Sequence, residues 1–506
     1  MHVQNSRGRR AGLTSPGASL KSFLRVTARS DSFYSEWRDR RSHVLALHEQ
    51  PGLPSERLLQ AIWHHQRLRR DQLRTADGRP VRVLHPGFWN REAGPDFRQA
   101  VVQIEGEPPR AGDVEVDLHS SLWRAHGHDR NPAFRNVALH VVWEAGTEIA
   151  APAPTLALKD SLDAALPELA SWLGTDAAES FPEDLLGRCA APMKDLSTEK
   201  LAELLRQAAQ ARLQRKASDL AARARQAGWE QALWEGLLRA LGYKHNAWPM
   251  LRLAELKQTL AVGAASSALS WQARLFGVSG LLPAEIGRSA GTGDYLRQVW
   301  DCWWRERGEF DEIILPRELW HLHGLRPANH PLRRLALAAQ WWADGTLPAR
   351  LEKWFTSTVA DGQLADSLVE ILQPPLDEFW SWHWTFRAVR LAKPQPLLGA
   401  TRMTDLAVNV LLPWFWVRAR EGRNDALRAE AERRFFAWPE AQDNSVLRLA
   451  RQRLLGGAAR RGLRSAALQQ GLLQIVRDFC DHSNALCLEC PFPDLVAGYG
   501  ADRAHY

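Results

Sequence analysis

Long apolar runs are missing from this 506-residue chain. No stretch of about eighteen uncharged apolar residues occurs, which excludes a membrane-spanning helix. Cysteine is scarce: five in the whole chain rule out a disulfide scaffold and leave room for metal binding or free thiols. Acidic residues are absent from the first thirty positions, where Arg, Ser and Gly dominate and the first acid is Asp31. That segment has no continuous apolar core, so it is not a secretory signal. Residues 1–31 read as a disordered tail or as translation from a start codon upstream of the real one. Lysine is rare as well, with 9 Lys against 56 Arg. The bias reflects base composition as readily as phosphate recognition. The net charge of +7 and pI near 9.3 allow an anionic partner, nucleic acid among them. The expected location is the cytoplasm.

What is present divides the chain in two. A length of 506 residues exceeds one hydrophobic core, so two or three units are expected. Ser55 to Gln72 has helical spacing at Leu58, Leu59, Ile62, Trp63 and Leu68. T-A-D-G-R at Thr75 to Arg79 reads as a turn before a strand at Val81 to Leu84. Arg98–Glu105, Asp113–His119, Asn136–Trp143 and Thr155–Leu158 read as further strands. Residues 32–165 therefore form a small mixed α/β domain. After Leu196 the pattern becomes helical, beginning with a capped helix from Ser197 to Gly228. The helical domain spans 166–476, and a cysteine-bearing segment, 477–506, packs on the rest. The fold class is α+β. Most of the 23 Trp lie in the helical part. They read as fillers of helix–helix cores, with stacking platforms for nucleobases as the alternative.

The chemistry-bearing residues concentrate between Gly87 and Glu144. In D-V-E-V-D-L-H, alternation puts Asp113, Glu115, Asp117 and His119 on one strand face and Val114, Val116 and Leu118 on the other. Acids this close repel unless solvated or neutralised by a cation, and Mg²⁺ or Mn²⁺ takes carboxylate oxygens. Asp96, after the rigid Pro95, supplies a further acid, so Asp96 and Glu115 together would hold the ion. A solvated edge face carrying a salt bridge is the competing reading. His126 and His128 in W-x-x-H-x-H suit proton transfer or phosphate contact. Zinc held by His119, His126 and His128 is a further possibility. His140, in an apolar run, reads as structural.

Near the C-terminus, Cys480, Cys487 and Cys490 form C-x6-C-x2-C-P, a metal-cluster spacing that requires a fourth ligand. Cys189, in a loop-like stretch, is the candidate, whereas Cys302 reads as a small buried apolar residue. Zinc and an iron–sulfur cluster both fit four thiolates. Unligated cysteines are the alternative.

The run G-F-W-N-x-x-A-G-P-D-F, then G-D-V-E-V, W-x-x-H-x-H and N-V-A-L-H-V-V, resembles a bacterial family defined only as a domain of unknown function. L-F-G-V-S-G-L-L at Leu275 to Leu282, R-P-A-N-H-P-x-x-R at Arg326 to Arg334 and N-V-L-L-P at Asn409 to Pro413 share the resemblance, which covers about residues 32–495. Pro95–Asp96 with Glu115-x-Asp117 is also similar, more distantly, to the PD-(D/E)xK nucleases. That likeness implies a two-acid Mg²⁺ site at Asp96 and Glu115. Asp117 stands where those enzymes have Lys, with His119 as the available substitute. Some relatives of that kind carry a four-cysteine iron–sulfur cluster, which the likeness extends to this chain's cysteines. The expected function is a metal-dependent nuclease or a nuclease-derived nucleic-acid-binding protein, with Asp96, Glu115, Asp117 and His119 as catalytic residues. A non-catalytic scaffold with a structural cysteine-bound metal, or a zinc hydrolase, is the alternative. The Arg326–Arg334 motif either caps a helix or binds phosphate.

Overall fold

The computed structural model describes residues 32–46, 53–90, 94–146, 151–173, 187–243, 245–263, 267–284, 293–441, 445–456, 465–480 and 490–501. Helix α1 spans Phe33–Ala46 and α2 spans Glu56–His65. Ser55 caps α2 by accepting from the Leu58 N–H at 3.1 Å. The helix predicted to run on to Gln72 stops at Gln66, which adopts the left-handed conformation (φ 51°). The turn this creates sends Arg67 and Arg70 toward the helical region. Strands β1 (Val81–His85), β2 (Phe88–Trp89), β3 (Phe97–Ile104) and β4 (Arg110–His119) follow. The short helix α3 (Leu122–Ala125) then leads to β5 (Val137–Glu144) and β6 (Thr155–Ala157).

Among the described residues these strands form one mixed sheet in the order β1-β3-β4-β5-β6, with β2 pairing on β3. β3 runs antiparallel to both β1 and β4, whereas β4–β5 and β5–β6 are parallel. The register sets Glu115 opposite His140 and Asp117 opposite Val142. Val114 and Val116 face a core built with Leu59, Ile62 and Trp63 of α2 and with Leu169 and Leu173 of α4 (Leu166–Leu173). Period-two alternation therefore delivers the acids to the opposite face, as the sequence predicts. Gly112 lets β4 approach β5 closely: a Cβ there would stand 2.6 Å from that of Ala138.

Beyond the sheet the chain is helical, from α5 (Ala190–Asp195) onward. The long helix α6 (Thr198–Ala227) is capped by Ser197, which accepts from the Lys200 N–H at 3.2 Å. Helices α7 (Trp229–Leu241) and α8 (Ala247–Glu255) pack beside it. The tryptophans mostly fill this core: Trp234, Trp341, Trp380 and Trp438 are fully buried, and Trp304 stays exposed. Cys302, read as buried, is only partly so.

The Arg326–Arg334 motif is used within the fold. His330 Nδ1 accepts from the Leu332 N–H and caps the following helix, Pro331–Asp344. The buried Arg333 guanidinium donates to the carbonyls of Trp380, His383 (3.1 Å), Gln395 (3.2 Å) and Pro396 (2.9 Å). Arg334 donates to Leu397 O at 2.6 Å. Both arginines thus fasten an irregular stretch to the helical core, and each satisfies carbonyls that burial would otherwise leave unpaired.

A third core brings the two chain ends together. Tyr34 and Trp37 of α1 pack with Cys189, Met193 of α5, Phe479, Cys480 and Phe492. An ionic network joins the sheet unit to the helices. Arg67 pairs with Asp163 at 2.8 Å and with Asp219 of α6. Arg70 pairs with Glu235 of α7 at 3.0 Å and with Glu255 of α8 at 2.7 Å. Arg223 bridges Asp71 at 2.7 Å and Glu235 at 2.9 Å.

Candidate metal site on the sheet

Asp96 sits where β3 begins and takes over part of the strand ladder. Its Oδ2 accepts the Val116 N–H at 3.0 Å, and its Oδ1 accepts from Gln60 Nε2 of α2 at 2.9 Å. Its own N–H donates to Glu115 Oε2 at 3.1 Å. Asp96 and Glu115 are thus direct neighbours, but both Asp96 carboxylate oxygens already carry a hydrogen bond.

Among the described residues, Glu115, Asp117 and His128 form a group that one ion could share. One ligand atom from each lies within 4.8 Å of the other two. His128 Nδ1 is 3.5 Å from Glu115 Oε1, and its side chain is only 10% exposed. That nitrogen is buried and makes no hydrogen bond. A buried, unbonded imidazole nitrogen 3.5 Å from a carboxylate fits a metal ion, because the ion would supply the partner it lacks.

Asp117 is almost wholly buried and held from two sides. His140 Nε2 lies 2.9 Å from its Oδ2, and His126 Nδ1 lies 3.2 Å from its Oδ1. His140 is fully buried and in edge contact with Trp123, at 5.2 Å between centroids. It therefore positions Asp117.

The W-x-x-H-x-H spacing has a physical cause. Trp123, 1% exposed, anchors α3 in a small core with Phe134 and Val137. The His128 N–H donates to Trp123 O at 3.0 Å, and Gly127 takes the left-handed conformation (φ 72°) between the two histidines. His128 then stacks on Phe134 at 4.0 Å.

Electrostatics mark this as a strained cluster. Burial, then the charges of Asp96 and Asp117, pushes the Glu115 carboxyl up to about 9. Burial, reinforced by Glu56 and Asp117, raises Asp96 to about 7 against the opposing Val116 N–H bond. Burial and Asp117 also raise Glu56, at the start of α2. Burial lowers His128, favouring the neutral imidazole that a metal needs. Acids crowded in this way are stabilised by protons or by a cation.

Two residues on the predicted strand face stand apart. Asp113 Oδ1 accepts the Gln99 N–H at 3.2 Å. His119, at the end of β4, pairs in register with Glu144, which is bridged to Lys159. Sequence reasoning missed Glu56 and Gln60, whose only signal was a capped helix start upstream. It also read His140 as structural without its bond to Asp117.

The cysteines lie elsewhere. Cys189 and Cys480 are buried in the third core, with Cys490 partly buried beside them. Cys490 Sγ is 3.6 Å from Phe479 O. Burial, then the Cys189 thiol, pushes the Cys480 thiol well above its ordinary value. Cys487 lies outside the described residues.

No curated protein and no solved structure matches this chain. Over residues 56–443, from the start of α2 through the sheet and most of the helical region, it matches the family model described as "Protein of unknown function (DUF2851)". The chain belongs to that family.

Proposed function

We propose that the sheet carries a divalent-metal-dependent phosphodiesterase centre that acts on nucleic acid. The observation that carries this reading is the grouping of Glu115, Asp117 and His128, one ligand atom from each within 4.8 Å of the others, with His128 Nδ1 buried and unbonded. Glu115, Asp117 and His128 would hold the ion. Two carboxylates with one imidazole favour Mn²⁺ over Mg²⁺, since Mg²⁺ prefers an all-oxygen shell. When bound, the ion would lower the pKa of a water and neutralise charge on a phosphate.

The chain's own residues do the rest. Asp96 positions Glu115 through its backbone N–H and keeps the β3–β4 junction closed through Val116. His140 and His126 orient Asp117. His126, 43% exposed at the side chain, is the group able to exchange a proton with a substrate or with solvent. The PD-(D/E)xK likeness at Pro95–Asp96 and Glu115, with the net charge of +7, supports nucleic acid as substrate. No Lys takes part in these contacts, so His126 stands in for proton transfer.

The test is cleavage of single- and double-stranded DNA and RNA with Mn²⁺, Mg²⁺ or Zn²⁺ added to the full chain. Mn²⁺-dependent cleavage, lost in Glu115→Gln and Asp117→Asn, is expected. Binding of nucleic acid with no cleavage under any metal would leave the non-catalytic scaffold as the better reading. Activity with Zn²⁺ alone, dependent on His119, would favour the zinc hydrolase.

A further inference from the structure

Strand β2 is only two residues long, yet its register presents an aromatic ring beside the sheet site. Phe88 pairs with Arg98 of β3, and Trp89 pairs with Phe97. Trp89 and Phe97 pack into the core beside α2, and Phe97 is in register with Val114 on that same face. Alternation therefore turns Phe88 and Arg98 to the opposite face, the one that carries Glu115. Both are exposed, Phe88 at 49%.

Phe88 is held firmly in place. Gly87, at φ 93°, lets the chain press onto β3: a Cβ there would stand 2.9 Å from that of Phe97. The Gly87 N–H donates to His85 Nδ1 at 3.0 Å, and the His85 ring lies 4.8 Å from that of Phe88. After Trp89, the Asn90 N–H donates to Asp96 O at 2.6 Å and Asn90 Nδ2 donates to Pro95 O at 2.9 Å. One end of β2 is thus tied to β1 and the other to the turn that delivers Asp96.

The Arg98 guanidinium reaches that same turn. Gly94, at φ 119°, leaves room for it: a Cβ there would stand 3.1 Å from Arg98 Nη2 and 3.5 Å from the Ala133 Cβ. Ala133 precedes Phe134, on which His128 stacks, and the Asp96 N–H bonds Glu115. Arg98 therefore sits at the rim of the Glu115–Asp117–His128 group. Phe88 lies two strand spacings from Glu115, about 10 Å across the sheet. Adjoining nucleotides of one strand can span that distance.

A guanidinium matches a phosphate with two parallel N–H bonds, and an exposed aromatic face takes a nucleobase. In a duplex each base is already stacked on its neighbours, whereas a single strand can stack its bases on a side chain. We propose that Phe88 and Arg98 form the substrate subsite of the sheet centre and select single-stranded nucleic acid. Phe88 stacks on a base, and Arg98 pairs with the adjoining phosphate. The subsite takes its place in catalysis from the phosphodiesterase reading, and its binding is measurable apart from cleavage.

The experiment measures, by fluorescence anisotropy, binding of labelled oligothymidylate, oligouridylate and a DNA duplex of equal length to the full chain. Ca²⁺ replaces Mn²⁺ so that binding is read without turnover. Both single strands bind more tightly than the duplex. Phe88→Ala weakens strand binding by about 5- to 150-fold, and Phe88→Trp restores it. Arg98→Ala weakens it too and reduces the slope of log affinity against log salt by about 0.7, the share of one phosphate contact on a single strand. Duplex binding as tight as strand binding overturns the inference, as does absence of binding to any of the three. Equal strand binding by wild type and by a folded Phe88→Ala also overturns it, and so does loss of binding that Phe88→Trp fails to rescue. Phe88-dependent strand binding without Mn²⁺-dependent cleavage supports the subsite and defeats the phosphodiesterase reading. Mn²⁺-dependent cleavage of duplex in preference to single strands defeats the subsite alone.

Discussion

At the scale of single residues, Glu115 shows the conflict between stability and site chemistry. Its carboxylate is buried against Asp96 and Asp117, and burial and then their charges disfavour its own charge. Glu115→Gln removes that repulsion while Gln Oε1 can still accept the Asp96 N–H. In metal-free protein at pH 8 this variant should be about 0.5–2 kcal/mol more stable than wild type, by urea unfolding, yet gain nothing from added Mn²⁺. The pH dependence follows from the same groups. Asp96 and Glu115 have folded pKa values raised above those of the unfolded chain. Their contribution to stability is therefore full below the unfolded carboxylate range near pH 4 and is lost as pH rises through about 7 and about 9. Melting temperature without metal should fall across that window, and Mn²⁺ should oppose the fall most at the alkaline end. His140→Ala leaves Asp117 without one of its two orienting partners. Metal affinity should drop about 10- to 100-fold, measured by calorimetry, with the overall fold retained by circular dichroism.

At the scale of elements, close contacts depend on residues whose importance is not evident from pattern alone. Gly471, in the helix Ala466–Ile475, lies against α6, where a Cβ would stand 2.2 Å from Leu205 O. Gly471→Ala forces the two helices apart and should cost about 1–3 kcal/mol in denaturant unfolding. The strands themselves were legible. Alternation in D-V-E-V-D-L-H placed Val114 and Val116 inward and the acids outward, because period two is a local property of the chain. Glu115 and Asp117 stood out on that strand, and His126 and His128 in the W-x-x-H-x-H motif after it, because both are local clusters of carboxylates and imidazoles. The identity of the grouped atoms was not legible. It depends on the parallel pairing of β4 with β5 and on Gly127 turning His128 back toward the acids, which are contacts distant in sequence. Asp96 stood out as an acid after Pro95; its oxygens accept from Val116 and Gln60, and it lies beside Glu115 outside the grouping of Glu115, Asp117 and His128. The end of α2 at Gln66 was hidden, since nothing in Q-R-L-R-R demands a left-handed residue there.

At the scale of the whole molecule, the Arg67–Arg70–Arg223 network joins the sheet unit to the helices, and the contacts of Arg333 and Arg334 fasten an irregular stretch within the helical region. Glu235, 4% exposed at its side chain, accepts from both Arg70 and Arg223. Glu235→Ala leaves two largely buried cations short of an acid and should cost about 3–5 kcal/mol by urea unfolding, far more than loss of a surface pair. The sheet site does not depend on that network, but it does depend on α2 being seated, because Gln60 holds Asp96. The most direct measurement is a calorimetric titration of the full chain with Mn²⁺, wild type beside Asp117→Asn. One bound ion per chain in the wild type, absent from the variant while the fold is unchanged, is the predicted result. No binding by the wild type, or equal binding by both proteins, would contradict a metal centre at Glu115, Asp117 and His128.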